Sequence, residues 1–142
     1  MCSSDLFRVL TKAHQFLTFT TPPNLQTAVA YGLQKEMSYF SGMRAALERS
    51  RDRFSTGLHD LGFTVLPSAG TYFVNIDITP FGETDDVDFC MRLVNEYGVA
   101  AIPVSAFYAD DPVKTVVRFC FAKGDDVLDG ALERLAKVRN PF

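Results

Sequence analysis

The sequence predicts an α/β fold: a two-layer ββαββα module with helices on one sheet face, placed behind one unusually long helix. Three observations predict it. From Ser38 to Leu61, the residues Phe40, Met43, Leu47, Ser50, Phe54, Leu58 and Leu61 step by threes and fours, the mark of one buried helical stripe. Beyond Gly62 the apolar period shortens to two in two separate segments, as a half-buried strand requires. Between and after those strands stand two helical patterns, the first introduced by Asp85 and Asp88, which can cap it, and the second beginning near Asp125.

The elements follow in order. A first helical segment is expected over Leu6–Ala13, then an extended run over His14–Thr20. Thr21 is placed to cap a second helix, with Pro22 in its first turn where a missing N–H is harmless; Leu25, Ala28, Val29 and Leu33 then recur at helical spacing. The long helix follows, with Arg44 and Glu48 as an i,i+4 pair on its wetter side and Gly62 as a left-handed stop. A helix of that length reaches roughly 35 Å, more than a small domain needs for itself, which suggests a bridge between two domains. Phe63–Leu66 reads as a strand and Pro67–Gly70 as a turn. Thr71–Ile78 is a second strand, with Tyr72, Val74, Ile76 and Ile78 on one face. Asp85 and Asp88 introduce a helix whose expected apolar face is Val87, Cys90, Met91 and Val94, ended by Gly98. Val99–Ile102 is a strand, Pro103–Pro112 a loop and Val116–Phe121 a strand. A last helix begins near Asp125 and packs through Leu128, Ala131, Leu132, Leu135 and Val138.

Composition bounds the function. At 142 residues, 47% apolar and 22% charged, the chain suits one ordinary globular domain. A net charge of −3 without a basic run argues against a nucleic-acid partner, and weakly against an anionic membrane surface. No stretch approaches a membrane span, and Met1–Asp5 lacks the pattern of a secretory signal. Three widely spaced cysteines, Cys2, Cys90 and Cys120, neither imply a disulfide framework nor match metal-ligand spacing. Cys90 and Cys120 read as small core residues, and a cytoplasmic setting is expected.

Arg118 is the most informative residue. In Val116-Val117-Arg118-Phe119-Cys120-Phe121, alternation puts the phenylalanines with Val117 on one face and Arg118 on the other. A guanidinium among apolar strand residues needs an anion, and its planar fork matches a carboxylate. The plainer alternative is a surface arginine on a half-solvated sheet, and pattern alone leaves both open. Pro67–Phe73, with Gly70 before an aromatic strand, is either a site-lining loop or only a tight corner. Ile102–Tyr108 presents a hydroxyl and two aromatic rings that could line a site or cover the core edge. His14 reads as a structural, hydrogen-bonded histidine.

Taken together, His14-Gln15-Phe16-Leu17-Thr18-Phe19, Pro23-Asn24-Leu25-Gln26, Ala69-Gly70-Thr71-Tyr72-Phe73, Ala101-Ile102-Pro103-Val104-Ser105-Ala106-Phe107-Tyr108 and Val117-Arg118-Phe119-Cys120-Phe121-Ala122-Lys123 occur in the order in which similar motifs occur in class I/II aminotransferases. The sequence most resembles the kynurenine–oxoglutarate and methionine aminotransferase branch, over about Leu6 to Val138. The resemblance implies a fold-type I enzyme that uses pyridoxal 5'-phosphate to move an amino group from an L-amino acid to a 2-oxo acid, and that works as a homodimer. It implies that Arg118 binds the substrate α-carboxylate and that Gly70, Tyr72 and Phe107 line the substrate cleft. Phe16, Phe19 and Phe107 hint at an aromatic or sulfur-containing donor. By the same resemblance, residues 1–37 correspond to a remnant of the large cofactor domain and its connection. Residues 38–62 correspond to the interdomain helix, and residues 63–142 to the small C-terminal domain.

The departures set the main expectation. The family's Schiff-base lysine sits in a Ser-x-Ser-Lys-like segment, and none of Lys12, Lys35, Lys114, Lys123 or Lys137 has that context. No catalytic or cofactor-binding residue is therefore assigned in this chain, which on its own is expected not to transaminate. Met1–Asp5 does not match the family, so the chain is expected to be a piece of a longer enzyme. Removing the large domain is expected to expose apolar surface along Phe40–Phe54 and on the Arg118 face. Two other readings compete: a free-standing regulatory α/β module that binds an amino or oxo acid, and an interaction domain without a ligand.

Overall fold

The computed structural model describes residues 4–138, and the chain divides into two compact units between Ser41 and Gly42. The first unit is helical. Helix α1 spans Ser4–Leu17 and α2 spans Pro23–Leu33, and the opening turn of α3 (Met37–Asp60) follows. Two expectations are corrected here. His14–Leu17 is helical rather than extended, and only Thr18–Thr20 bends away. Thr18 holds the end of α1, since its amide and its hydroxyl both donate to the His14 carbonyl at 2.9 Å. The α2 cap is Pro22 rather than Thr21, without a side-chain cap bond, and Pro23 takes the first helical position. His14 itself is an exposed helix residue.

Leu6, Phe7, Val9 and Leu10 of α1, Phe16, Leu17 and Phe19 after them, and Leu25, Val29 and Leu33 of α2 are all exposed. Apolar surface of that extent marks an interaction face. The purified chain is therefore expected to self-associate, and a freely soluble, monodisperse monomer on size-exclusion chromatography with light scattering would contradict this. The expected apolar strip along Phe40–Phe54 is only partly open. Phe54 is buried and Leu47 half-buried, so the exposure lies further towards the N-terminus.

The second unit carries the sheet. Helix α3, 24 residues long, buries Phe54 and Leu58 near its C-terminal end. Gly62, at φ 84°, ends it in the left-handed conformation, where the Phe63 amide returns to the Leu58 carbonyl. Glu48 approaches Arg51 at 3.5 Å, in place of the expected pairing with Arg44. Strands β1 (Thr64–Val65), β2 (Phe73–Asp77), β3 (Ile102–Pro103) and β4 (Val116–Cys120) form one sheet in the order β1-β2-β4-β3, antiparallel throughout. Val74, Ile76, Ile78, Val117, Phe119 and Phe121 are buried on its core side. Helix α5 (Asp125–Leu135) packs there through Leu128 and Leu135, joined by Val138 and by the partly buried Ala131 and Leu132. Phe54 meets Phe119 edge-on, with ring centroids 5.9 Å apart. A Cβ at Gly57 would come within 2.4 Å of Leu132, so α3 and α5 approach closely where α3 has no side chain. Arg53 and Asp129 clasp the same two helices with bonds of 2.9 and 2.6 Å, and the guanidinium holds the Asp129 carboxyl below its usual range.

Helix α4 (Asp86–Arg92) is capped as expected, with the Asp85 carboxylate accepting from the Val87 and Asp88 amides at 3.0 and 3.1 Å. Its buried face is another matter. Asp86, Phe89, Cys90 and Leu93 point inward, while Val87, Met91 and Val94 are exposed. The apolar pattern has the right period and the wrong phase, because it leaves no place for an aspartate in the core. The helix relaxes into a π turn over Leu93–Tyr97 before Gly98, at φ 65°, stops it. Strand β3 is later and shorter than the expected Val99–Ile102, and a 3-10 turn, Val104–Phe107, interrupts the loop behind it.

Candidate functional site

Strand β4 presents Arg118 on the sheet face opposite the core, between Asn75 of β2 and Ile102 of β3, its cross-strand partners. Phe73, Asn75 and Asp77 alternate with the buried Val74 and Ile76, so β2 turns an aromatic ring and an amide towards the arginine's side. The guanidinium carbon lies 4.9 Å from the Phe73 ring centroid and 4.6 Å from that of Phe107. Phe107 comes from the turn after β3 and is itself 60% exposed. Cation–π contact of this kind holds the fork in place and shields it from water without neutralising it.

No carboxylate among the described residues lies within ion-pair distance of Arg118. Its Nε and the Asn75 Oδ1 are both buried and make no hydrogen bond. Two unsatisfied polar atoms on adjacent strands are costly, and each such group calls for a functional or structural reason. Both residues line a cleft of about 430 Å3, together with Ser68, Gly70, Thr71 and Phe73. On its other side Arg118 borders a cavity of about 340 Å3 with Ile102, Cys120 and Lys123.

The loop that rims the cleft is built from within. The Ser68 hydroxyl donates to the Gly70 and Phe73 carbonyls at 3.1 and 3.0 Å, and Thr71 sits at φ 66° with its hydroxyl oxygen accepting from the Phe73 amide. A β-branched residue in the left-handed region is strained, and such strain gathers at ligand sites. Gly70 has open space where a Cβ would be, so nothing among the described residues demands glycine there.

Of the residues expected from sequence, Arg118 and Gly70 line the cleft, and Phe107 lies outside its lining but stacks on the Arg118 guanidinium. Tyr72 does not line it: the residue precedes β2, is 50% exposed, and reaches the site only through its ring contact with Phe73 at 4.4 Å. Its expected place in the strand, on one face with Val74, Ile76 and Ile78, is therefore corrected. Phe73 and Asn75 were missed, although the same alternation that buries Val74 places them opposite. Asp86 and the inward turn of Ser105 were also missed, for no local signal pairs residues so far apart. Cys90 is no candidate nucleophile, since burial and the nearby Asp86 charge push its thiol up to about 11. Cys90 and Cys120 are free, and Cys2 lies outside the described residues. Among the described residues no His/Cys/Asp/Glu cluster could hold a metal, and no helix is long and apolar enough to cross a membrane.

The domain is thus an antiparallel sheet with helices on one face and an arginine flanked by two rings, without an ion-pair partner among the described residues, on the other. The family Aminotransferase class I and II matches over residues 1–135, and the chain belongs to it. It is 38% identical to methionine aminotransferase of Escherichia coli over 127 residues, covering 89% of this chain and 33% of that one. It is 31% identical to kynurenine–oxoglutarate transaminase of Dictyostelium discoideum, covering 96% and 36%. The solved N-succinyldiaminopimelate aminotransferase of Mycobacterium tuberculosis superposes with a TM-score of 0.81 at 39% identity, over 96% of this chain and 36% of that one. The chain thus spans about a third of the length of the relatives it matches.

Membership in this family implies pyridoxal 5'-phosphate. The residues of this chain do not fit it as a covalent partner. A Schiff-base lysine is held desolvated or beside tuned charges, whereas Lys12, Lys35, Lys114, Lys123 and Lys137 are all exposed. Lys123 alone of them borders an Arg118 cavity among those described, and it does so from the solvent side.

Proposed function

We propose that this segment is the C-terminal portion, including the small domain, of a pyridoxal-phosphate-dependent aminotransferase, and that Arg118 binds the α-carboxylate shared by its amino-acid and 2-oxo-acid substrates. The observation that carries the proposal is the state of Arg118: stacked against two rings, bordering two clefts, with a buried Nε that no protein acceptor meets. A carboxylate laid against the outer Nη edge of the fork would pair with the guanidinium charge, and the Phe73 and Phe107 rings would keep water from competing. Arg118 would thereby orient the Cα–H of whichever substrate is bound. Gly70 and Phe107 would border the substrate, and Tyr72 would act only through Phe73.

In the same proposal residues 1–37 belong with a large cofactor domain, residues 38–62 bridge to it, and residues 63–142 form the small domain. The complete enzyme would be a cytoplasmic homodimer, with the free Cys90 and Cys120 in keeping with a reducing setting. An aromatic or sulfur-containing donor accords with the phenylalanines near Arg118, and the methionine and kynurenine relatives are of that kind by name.

The test is a pyridoxal-phosphate titration of the purified chain, read by absorbance and by borohydride trapping with peptide mapping. No site-specific adduct is expected, because the chain offers only exposed amines. A stoichiometric adduct on one lysine would show that the chain holds its own cofactor, and would overturn the assignment of that task to a separate large domain. The regulatory-module reading draws on the same arginine. It would gain from tight amino-acid binding by the chain without cofactor, and it lacks any account of the exposed apolar helices.

A further inference from the structure

We infer that Asp86 and Ser105 position the carboxylate-binding arginine, by fixing the turn that lays Phe107 against it. The inference rests on Arg118 being the carboxylate ligand, but its structural part can be tested separately. Asp86 is the one charged residue fully buried among those described, at 0% exposure. Its two oxygens are both engaged by a single distant residue: the Ser105 amide donates to Oδ2 and the Ser105 hydroxyl to Oδ1, each at 2.7 Å. Charge-assisted bonds of that length are the strong ones, and a buried carboxylate needs them.

The geometry explains what the pair does. Ser105 sits in the short 3-10 turn Val104–Phe107, and its carbonyl accepts from the Tyr108 amide at 3.1 Å where the turn ends. Two residues on, Phe107 is 60% exposed and carries its ring to 4.6 Å from the Arg118 guanidinium. An exposed ring on a short turn holds one position only if the turn is tied down, and the tie is the Asp86 clamp. The first residue of α4 thus reaches the substrate arginine through Ser105 and Phe107, touching neither substrate nor arginine. A carboxylate in the core is costly if its only purpose is stability, and positioning gives it another.

The experiment uses the full chain with 15N-labelled arginine. In the wild type the Arg118 Nε–H resonance is expected upfield of the other arginines, shifted by the two rings, and to move on titration with a 2-oxo monocarboxylate such as pyruvate. Ser105→Ala is expected to bring that resonance more than halfway back to the exposed-arginine position and to weaken pyruvate binding about fivefold to tenfold. Ser105→Thr keeps the hydroxyl and is expected to restore both. Ser105→Ala removes one oxygen atom from a turn, and an unchanged core methyl spectrum would show that the domain remains folded. An unshifted resonance and unchanged affinity in Ser105→Ala would overturn the inference. If instead the resonance behaves as expected but pyruvate moves nothing in the wild type, the positioning stands and the carboxylate reading of Arg118 fails.

Discussion

Replacing Arg118 by alanine is expected to lower kcat/KM for amino-group transfer about 30- to 1,000-fold in a complete enzyme that contains this segment. The size follows from the loss of a charge-assisted, two-pronged contact in a partly water-excluded site, roughly 2–4 kcal/mol. Both half-reactions should suffer, since amino donor and oxo acceptor present the same carboxylate to the same residue. Arg118→Lys should recover part of the loss at most, because an ammonium is a point charge without the planar fork that stacks between rings. Steady-state kinetics with each substrate varied in turn would read this. Near wild-type kcat/KM for Arg118→Ala would sink the assignment and return Arg118 to a surface arginine on a half-covered sheet.

Phe54→Ala is expected to cost about 3–5 kcal/mol of unfolding free energy, the range for emptying a phenylalanine site in a closed core. Phe54 is 2% exposed, meets Phe119 edge-on, and belongs to the cluster that fastens α3 to the sheet. Met43→Ala, three turns earlier on the same helix, should change stability little, because Met43 is about half exposed. Chemical denaturation followed by circular dichroism would separate them. Equal effects would mean that the stripe on α3 is buried evenly along its length, contrary to the graded burial of the structure. A comparable result for Leu58, also sealed in the core, would locate the same boundary from a second residue.

Much of this molecule was legible from local patterns. The long helix was readable because its stripe keeps one phase over six steps from Phe40 to Leu61, with only Ser50 not apolar. Gly62 and Gly98 were readable as stops because only a residue without Cβ adopts their φ of 84° and 65° at no cost. The two central strands were readable because alternation has one solution once a side is buried, and that solution put Arg118 opposite Phe119 and Phe121 before any fold was known. Asp85 was readable as a cap because capping is decided within three residues.

What failed did so for reasons that go beyond the local chain. His14–Thr20 looked extended because its aromatic and threonine residues favour strands, yet Thr18 can bond back to His14 and lengthen the helix. The phase of α4 was misjudged because burying Asp86 is unfavourable until Ser105, nineteen positions away, supplies both of its hydrogen bonds. Tyr72 looked like a strand residue sharing a face with Val74, and the strained Thr71 beside it delays β2 until Phe73. Local sequence thus settled period, caps and stops, since each depends on a few neighbouring residues and on sterics. Only the tertiary structure could decide which buried polar groups find partners, and which, like the Nε of Arg118, do not. Hydrogen-bond satisfaction is a property of residues brought together from distant parts of the chain.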